Sequence, residues 1–140
     1  MTIGITAPNG ITLGLASRWT RLVGQMVDGF VAAIPLLAIT ILATFTGGIG
    51  GPYLIAATFA WMFFYLIFGD GLHQGQSFAK QWLGIRVVSA DTGAPCTFGQ
   101  SFLRNMLLAI LGPIDWIFIF GDRHQRLGDK AAGTIVVVAD

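Results

Sequence analysis

From Leu22 to Phe45 the sequence runs for twenty-four residues with one ionisable side chain, Asp28. Wound as an α-helix, such a run reaches about 36 Å, enough to cross a hydrocarbon core of about 30 Å with some tilt. A carboxylate at that depth costs an isolated helix on the order of 3 kcal/mol on insertion scales, so Asp28 needs a partner or a task. Arg21, Gln25 and Asp28 follow at spacings of four and three and therefore share one helix face. The rest of the composition agrees with a membrane setting. Charged residues make up 11% of the chain, against about 25% in soluble domains, and mean hydropathy is +0.72. A net charge of +1 gives no nucleic-acid footprint. The single cysteine, Cys96, has no partner for an intramolecular disulfide.

The 140 residues suit one domain, read here as a flexible N-terminal arm over 1–16 and a membrane domain over 17–140. The arm carries no basic side chain and no clean apolar core, so a cleaved signal peptide is not expected. Ser17 is placed to cap the first helix, and Trp19 suits the headgroup level. Pro35 interrupts the helix ladder and frees the carbonyl of Val31. In one reading it is a tolerated membrane proline; in another the freed carbonyl joins Asp28 as an oxygen ligand for a cation. A glycine-rich turn, Gly47 to Pro52, precedes a second apolar run, Tyr53 to Phe68, and the two runs form a helical hairpin. Gly29 with Ala33, and Ala56 with Ala60, are small-residue pairs that mark candidate contact surfaces.

Phe78, Lys80, Trp82 and Leu83 suggest a short amphipathic helix at the membrane surface, ended by Gly84. Ile85 to Ser89, Cys96 to Phe98 and Thr134 to Val138 read as strands of a small cytoplasmic cluster. Between them, Phe102 to Gly121 is apolar but carries Arg104, Asn105 and Asp115, and Gly112 and Pro113 interrupt it. Arg18 and Arg21 flank one end of the hairpin and Lys80 and Arg86 the other, which puts both ends, and both termini, in the cytoplasm. Keeping Arg123, Arg126 and Lys130 on that side favours a broken or re-entrant third segment over a full third span. Asp115 is expected at an exposed membrane surface. The fold class is thus a mainly α-helical integral membrane protein: a two-span hairpin, a broken third apolar segment and a small β-strand cluster.

Three stretches carry a resemblance: RLVGQMVD from Arg21 to Asp28, the long segment from Gly75 to Asn105, and RLGDKAAGTIVV from Arg126 to Val137. In this order around an apolar hairpin they resemble the RDD family of membrane proteins, named for one arginine and two aspartates. The resemblance implies that these are Arg21, Asp28 and Asp129. It also implies transport of an unidentified ligand, of which cation–proton exchange is one form. Two departures stand out. The usual Thr-Pro-Gly-Lys run is here Ser77, Phe78, Ala79 and Lys80, and the usual Leu-His-Asp is Leu127, Gly128 and Asp129.

Asp28 has two readings. As a structural acid it is answered by Arg21 and Gln25 along its own helix, or by Arg104 or Lys130 from another element. As a carrier it alternates between protonated and charged forms. A specific arrangement follows: Asp129 packs beneath the first helix and pairs with Arg21, leaving Asp28 free to exchange a proton or cation. Arg104 and Asn105 are either interfacial anchors or part of the same polar pocket. His73 and His124 lack metal-ligand spacing, and no nucleophile–base set is present, so neither cofactor nor enzyme activity is expected. The candidate site is therefore Asp28, Arg21, Asp129, Gln25 and Arg104. The expected function is transport of a small ion or solute across a bacterial plasma (inner) membrane. Two spans cannot enclose a pathway, so transport requires a homo-oligomer in the lipid bilayer. The alternative is a non-enzymatic scaffold or assembly partner whose Arg and Asp set is structural.

Overall fold

The computed structural model describes residues 4–6, 10, 12–46, 48 and 50–139. The first apolar run is helix α1, Arg18–Phe45, and the second is α2, Gly51–Phe68, extended by a 3-10 turn over Gly69–Gly71. Both are long and apolar enough to cross a membrane. Ser17 caps α1 by accepting the Thr20 amide, and the helix passes through Pro35 without ending. Gly48 and Gly50 hold positive φ values of 80° and 74° in the connecting turn, where a side chain would be strained; Gly47 lies outside the described residues.

The third apolar segment is broken, as its Gly-Pro pair predicts. Helix α4, Phe98–Leu111, stops at Gly112, and α5, Pro113–Ile117, leaves at 111° to it, followed by a 3-10 turn over Phe118–Phe120. Gly112 adopts φ 55° and ψ −131°, a conformation open to glycine, and the following proline is well suited to start a helix. The short surface helix is α3, Phe78–Trp82, and Gly84 beyond it has φ 62°.

Strand β3, Ile85–Ser89, pairs antiparallel with β4, Thr134–Val138, with Val87 opposite Val136. Alternation sends Ile85, Val87 and Val136 to one face with Ala16 and Cys96, and Val88, Ile135 and Val137 to the other with Leu15. The first face meets α1 at Gly24, where an added Cβ would lie 3.2 Å from Leu83 Cδ1.

Two expectations are corrected, and the N-terminal stretch adds a feature of its own. Cys96 to Phe98 is no strand: Pro95 makes a single bridge to Val88, and Thr97 then caps α4 in a capping box with Gln100. That local satisfaction of the helix N-terminus outcompetes strand pairing. Ahead of α1, described residues of the N-terminal stretch pair with each other and with the sheet. Gly4–Thr6 (β1) and Thr12–Gly14 (β2) form a hairpin, Leu15 bridges Val137, and the Ala16 amide donates to Val136. Burial of Leu15 and Ala16 in the sheet's two faces explains this docking. Finally, the hairpin helices do not meet through their small-residue pairs. Ala56 and Ala60 are exposed, and nothing lies within 4 Å of a Cβ placed on Gly29. The buried faces are Gly24, Asp28 and Ala32 on α1 and Thr58 and Tyr65 on α2.

Candidate functional site

Among the described residues, four basic and four acidic side chains are buried together. They are Arg21, Lys80, Arg104 and Arg126, and Asp28, Asp70, Asp115 and Asp129. Equal numbers of each sign leave the set formally neutral, which is the condition for holding charges away from water. The seven ion pairs found among the described residues all belong to this set.

The set is a chain with two different ends. At one end Asp129, on helix α6 (Leu127–Ala132), receives Arg104 Nε at 2.8 Å and Nη2 at 2.7 Å, Arg21 Nη2, and the Arg126 amide at 3.1 Å. Burial alone would push the Asp129 carboxyl upward, but the guanidiniums of Arg104, Arg21 and Arg126 hold it well below the usual carboxylate range. Burial pushes Arg126 down to about 10, opposed by the charge of Asp129. Arg126 Nε also stands 3.6 Å from Asp115, whose other oxygen accepts the Gly128 amide at 2.7 Å. The backbone contact requires glycine at 128, since a Cβ there would fall 2.2 Å from the Arg104 carbonyl oxygen. The bare backbone at Gly128 lets α6 lie directly against α4 at Arg104.

Arg104 links the two ends. Its Nη1 donates to Asp70 at 3.0 Å, and Asn105 donates to the same carboxylate at 3.1 Å. Asp70 also accepts from Lys80 Nζ. Lys80 then stands 3.4 Å from Asp28 and 3.3 Å from Ser77 Oγ. Asp28 itself accepts from the Tyr65 hydroxyl at 2.7 Å, from Ser77 Oγ, and from the Ala79 amide at 3.2 Å. A cleft of about 10 Å³, bordered by Asp28, Asp70, Lys80, Tyr65 and Gln25, adjoins this end. That is about the space of one water-sized sphere.

The expected Arg21–Asp129 pair is present, and Arg104 joins it. The remaining expectations for Asp28 need correction. Its cation is Lys80, not Arg21, Arg104 or Lys130, and with four donors it is not free. Gln25 accepts from Arg126 at 3.4 Å instead of bonding Asp28, while Lys130 lies over the Phe118 ring. Asp115 is buried, not exposed, because it anchors the start of α6. Asp70, Lys80 and Arg126 belong to the site although the sequence reading gave them no role in it. Asp70 directly follows an apolar span, and that context was the available signal. Lys80 occupies the one fully matching position of the altered Thr-Pro-Gly-Lys run, which was the other.

An apolar helical hairpin, a broken third segment and a buried neutral chain of charges define a helical integral membrane protein. The protein belongs to the RDD family, whose model matches residues 15–133. It is 30% identical over 132 residues to an uncharacterised protein of Haemophilus influenzae, covering 89% of this chain and 79% of that one. It is also 32% identical over 102 residues to a proline-rich antigen of Mycobacterium leprae, covering 66% of this chain and 40% of that protein. The chain thus spans less than half of the second relative. No solved structure matches.

Proposed function

We propose that this protein moves a small cation in exchange for protons across a bacterial plasma membrane, as a homo-oligomer with both termini in the cytoplasm. The observation that carries the reading is the occupant of the Asp28 end. The Lys80 ammonium sits among oxygens of Asp28, Asp70 and Ser77, on a five-residue helix at the edge of the bundle. Withdrawal of that ammonium with α3 leaves two carboxylates and a hydroxyl, a ligand set suited to a small monovalent cation or to a proton on Asp28. Charge balance then makes the tethered ammonium and the mobile cation alternatives at one place. That both relatives are bacterial supports the bacterial setting, and the bias of basic residues supports the orientation. Two spans and one broken segment enclose no pathway by themselves, which is the reason for an oligomer.

Flux in proteoliposomes tests this. Asp28→Asn is expected to fold and assemble like the parent while losing at least ten-fold in cation-driven proton movement. Silence of the parent toward monovalent cations and protons would defeat the proposal. A second reading, a membrane scaffold, is favoured by a different observation: every buried acid already has a cationic neighbour. In that case Asp28→Asn disrupts assembly, and parent and variant are both silent in flux.

A further inference from the structure

We propose that the groove between the first turn of α1 and the α4–α5 break seats an acyl chain of an anionic phospholipid, with its phosphate against Arg18. The groove encloses about 680 Å³ and is lined by Trp19, Leu22, Leu108, Pro113, Trp116 and Phe120, with Arg18 as its cation. Its volume lies in the range of about 300–1,000 Å³ typical of sites that enclose small molecules. Its origin is the 111° bend at Gly112, which turns α5 off the line of α4 and opens a wedge. The walls are apolar, so an aliphatic chain leaves no polar group unpaired.

The rim selects the headgroup. The Arg18 guanidinium stands 5.5 Å above the Phe120 ring, and Nη2 donates to the Phe120 carbonyl at 3.4 Å. These contacts hold the group at the mouth of the groove. Among the described residues no carboxylate lies within 4.0 Å of it. A second exposed cation, Lys130, lies 5.3 Å over the neighbouring Phe118 ring. Asp122 and Arg123, two and three residues after Phe120, cancel in formal charge. Trp19 and Trp116 line the same groove, as indoles do at headgroup level. A phosphodiester with one negative charge and an aliphatic tail satisfies both the walls and the rim. This inference does not depend on the transport reading.

Quenching of tryptophan by lipids brominated on their acyl chains tests it, using the full chain in phosphatidylcholine nanodiscs. Trp61→Phe with Trp82→Phe leaves Trp19 and Trp116 as the reporters. At equal mole fraction, brominated phosphatidylglycerol is expected to act as if enriched about five-fold over brominated phosphatidylcholine, the size expected for one basic group near an anionic headgroup. Arg18→Gln should abolish the preference, Arg18→Lys should retain most of it, and Leu108→Phe, which fills the groove, should weaken quenching by both lipids. Equal quenching by the two lipids in the parent, or a preference that survives Arg18→Gln, overturns the proposal. Reversal by added inorganic phosphate would assign the rim to a free anion and overturn the lipid.

Discussion

The two ends of the buried charge chain hold their carboxylates by different means. Asp129 is gripped by guanidiniums, which are planar, permanently charged and set in paired geometry. Asp28 is held by two hydroxyls, one amide and a lysine at 3.4 Å. Hydroxyls rotate, and a lysine stem is flexible. The Asp129 end therefore fixes the relative positions of α1, α4 and α6, while the Asp28 end is where the network can rearrange. The contrast separates Arg21 and Asp129, held in paired geometry, from Asp28, held by groups that can turn.

Asp129→Asn attacks the fixed end and should have the largest effect. It leaves Arg21, Arg104 and Arg126 facing one another without their common acid, at about 3–5 kcal/mol. Thermal unfolding in detergent measures this. Arg21→Ala should be strongly non-additive with it, because both remove one contact; additive losses would show that the two act separately.

Gly128→Ala comes next. Its Cβ would collide with the Arg104 carbonyl and lever α6 off α4, at about 1–3 kcal/mol by the usual scale of overpacking. A neutral result would mean that α6 shifts freely, and the description of a fixed end would fail.

Asp28→Asn should cost less stability, about 1–2 kcal/mol, because Tyr65 and Ser77 can reorient toward an amide. If it destabilises as much as Asp129→Asn, the two ends are equally rigid and the comparison collapses.

The smallest expected effect is that of pH. The folded Asp129 carboxyl lies below its ordinary value of 3.8. Its stabilisation is therefore complete above that value and is lost only as pH falls through the lower folded value. The stability difference between parent and Asp129→Asn should stay constant from neutrality to about pH 5 and narrow only below about pH 4. Narrowing already near pH 6 would contradict the guanidinium clamp.

At both ends the sequence exposed the residue on α1 more readily than its partners. Arg21 and Asp28 announce themselves by standing in an apolar helix, and the Gly112–Pro113 break is visible as a pair of residues that stop one helix and start another. The Arg21–Asp129 pairing came from the family resemblance rather than from spacing, since 108 residues separate the partners. Lys80 and Asp70 lie on short polar segments where charge is ordinary, so only the apolar run before Asp70 and the matching motif position of Lys80 set them apart. The α1–α2 contact was misjudged because two alanines four apart looked like a seam, whereas packing uses Thr58 and Tyr65, seven apart on another face. The capping box at Thr97 and Gln100 was readable, but aromatic and β-favouring neighbours obscured it.

The neutrality of the buried set also constrains how the protein is made. Arg21 enters the bilayer early in synthesis, and its acid arrives 108 residues later. Before α6 is added, the Arg21 guanidinium lacks the acid that neutralises it in the finished bundle. The charge balance of the bundle is thus completed by α6, the element most distant in sequence from Arg21, and not by neighbours along α1.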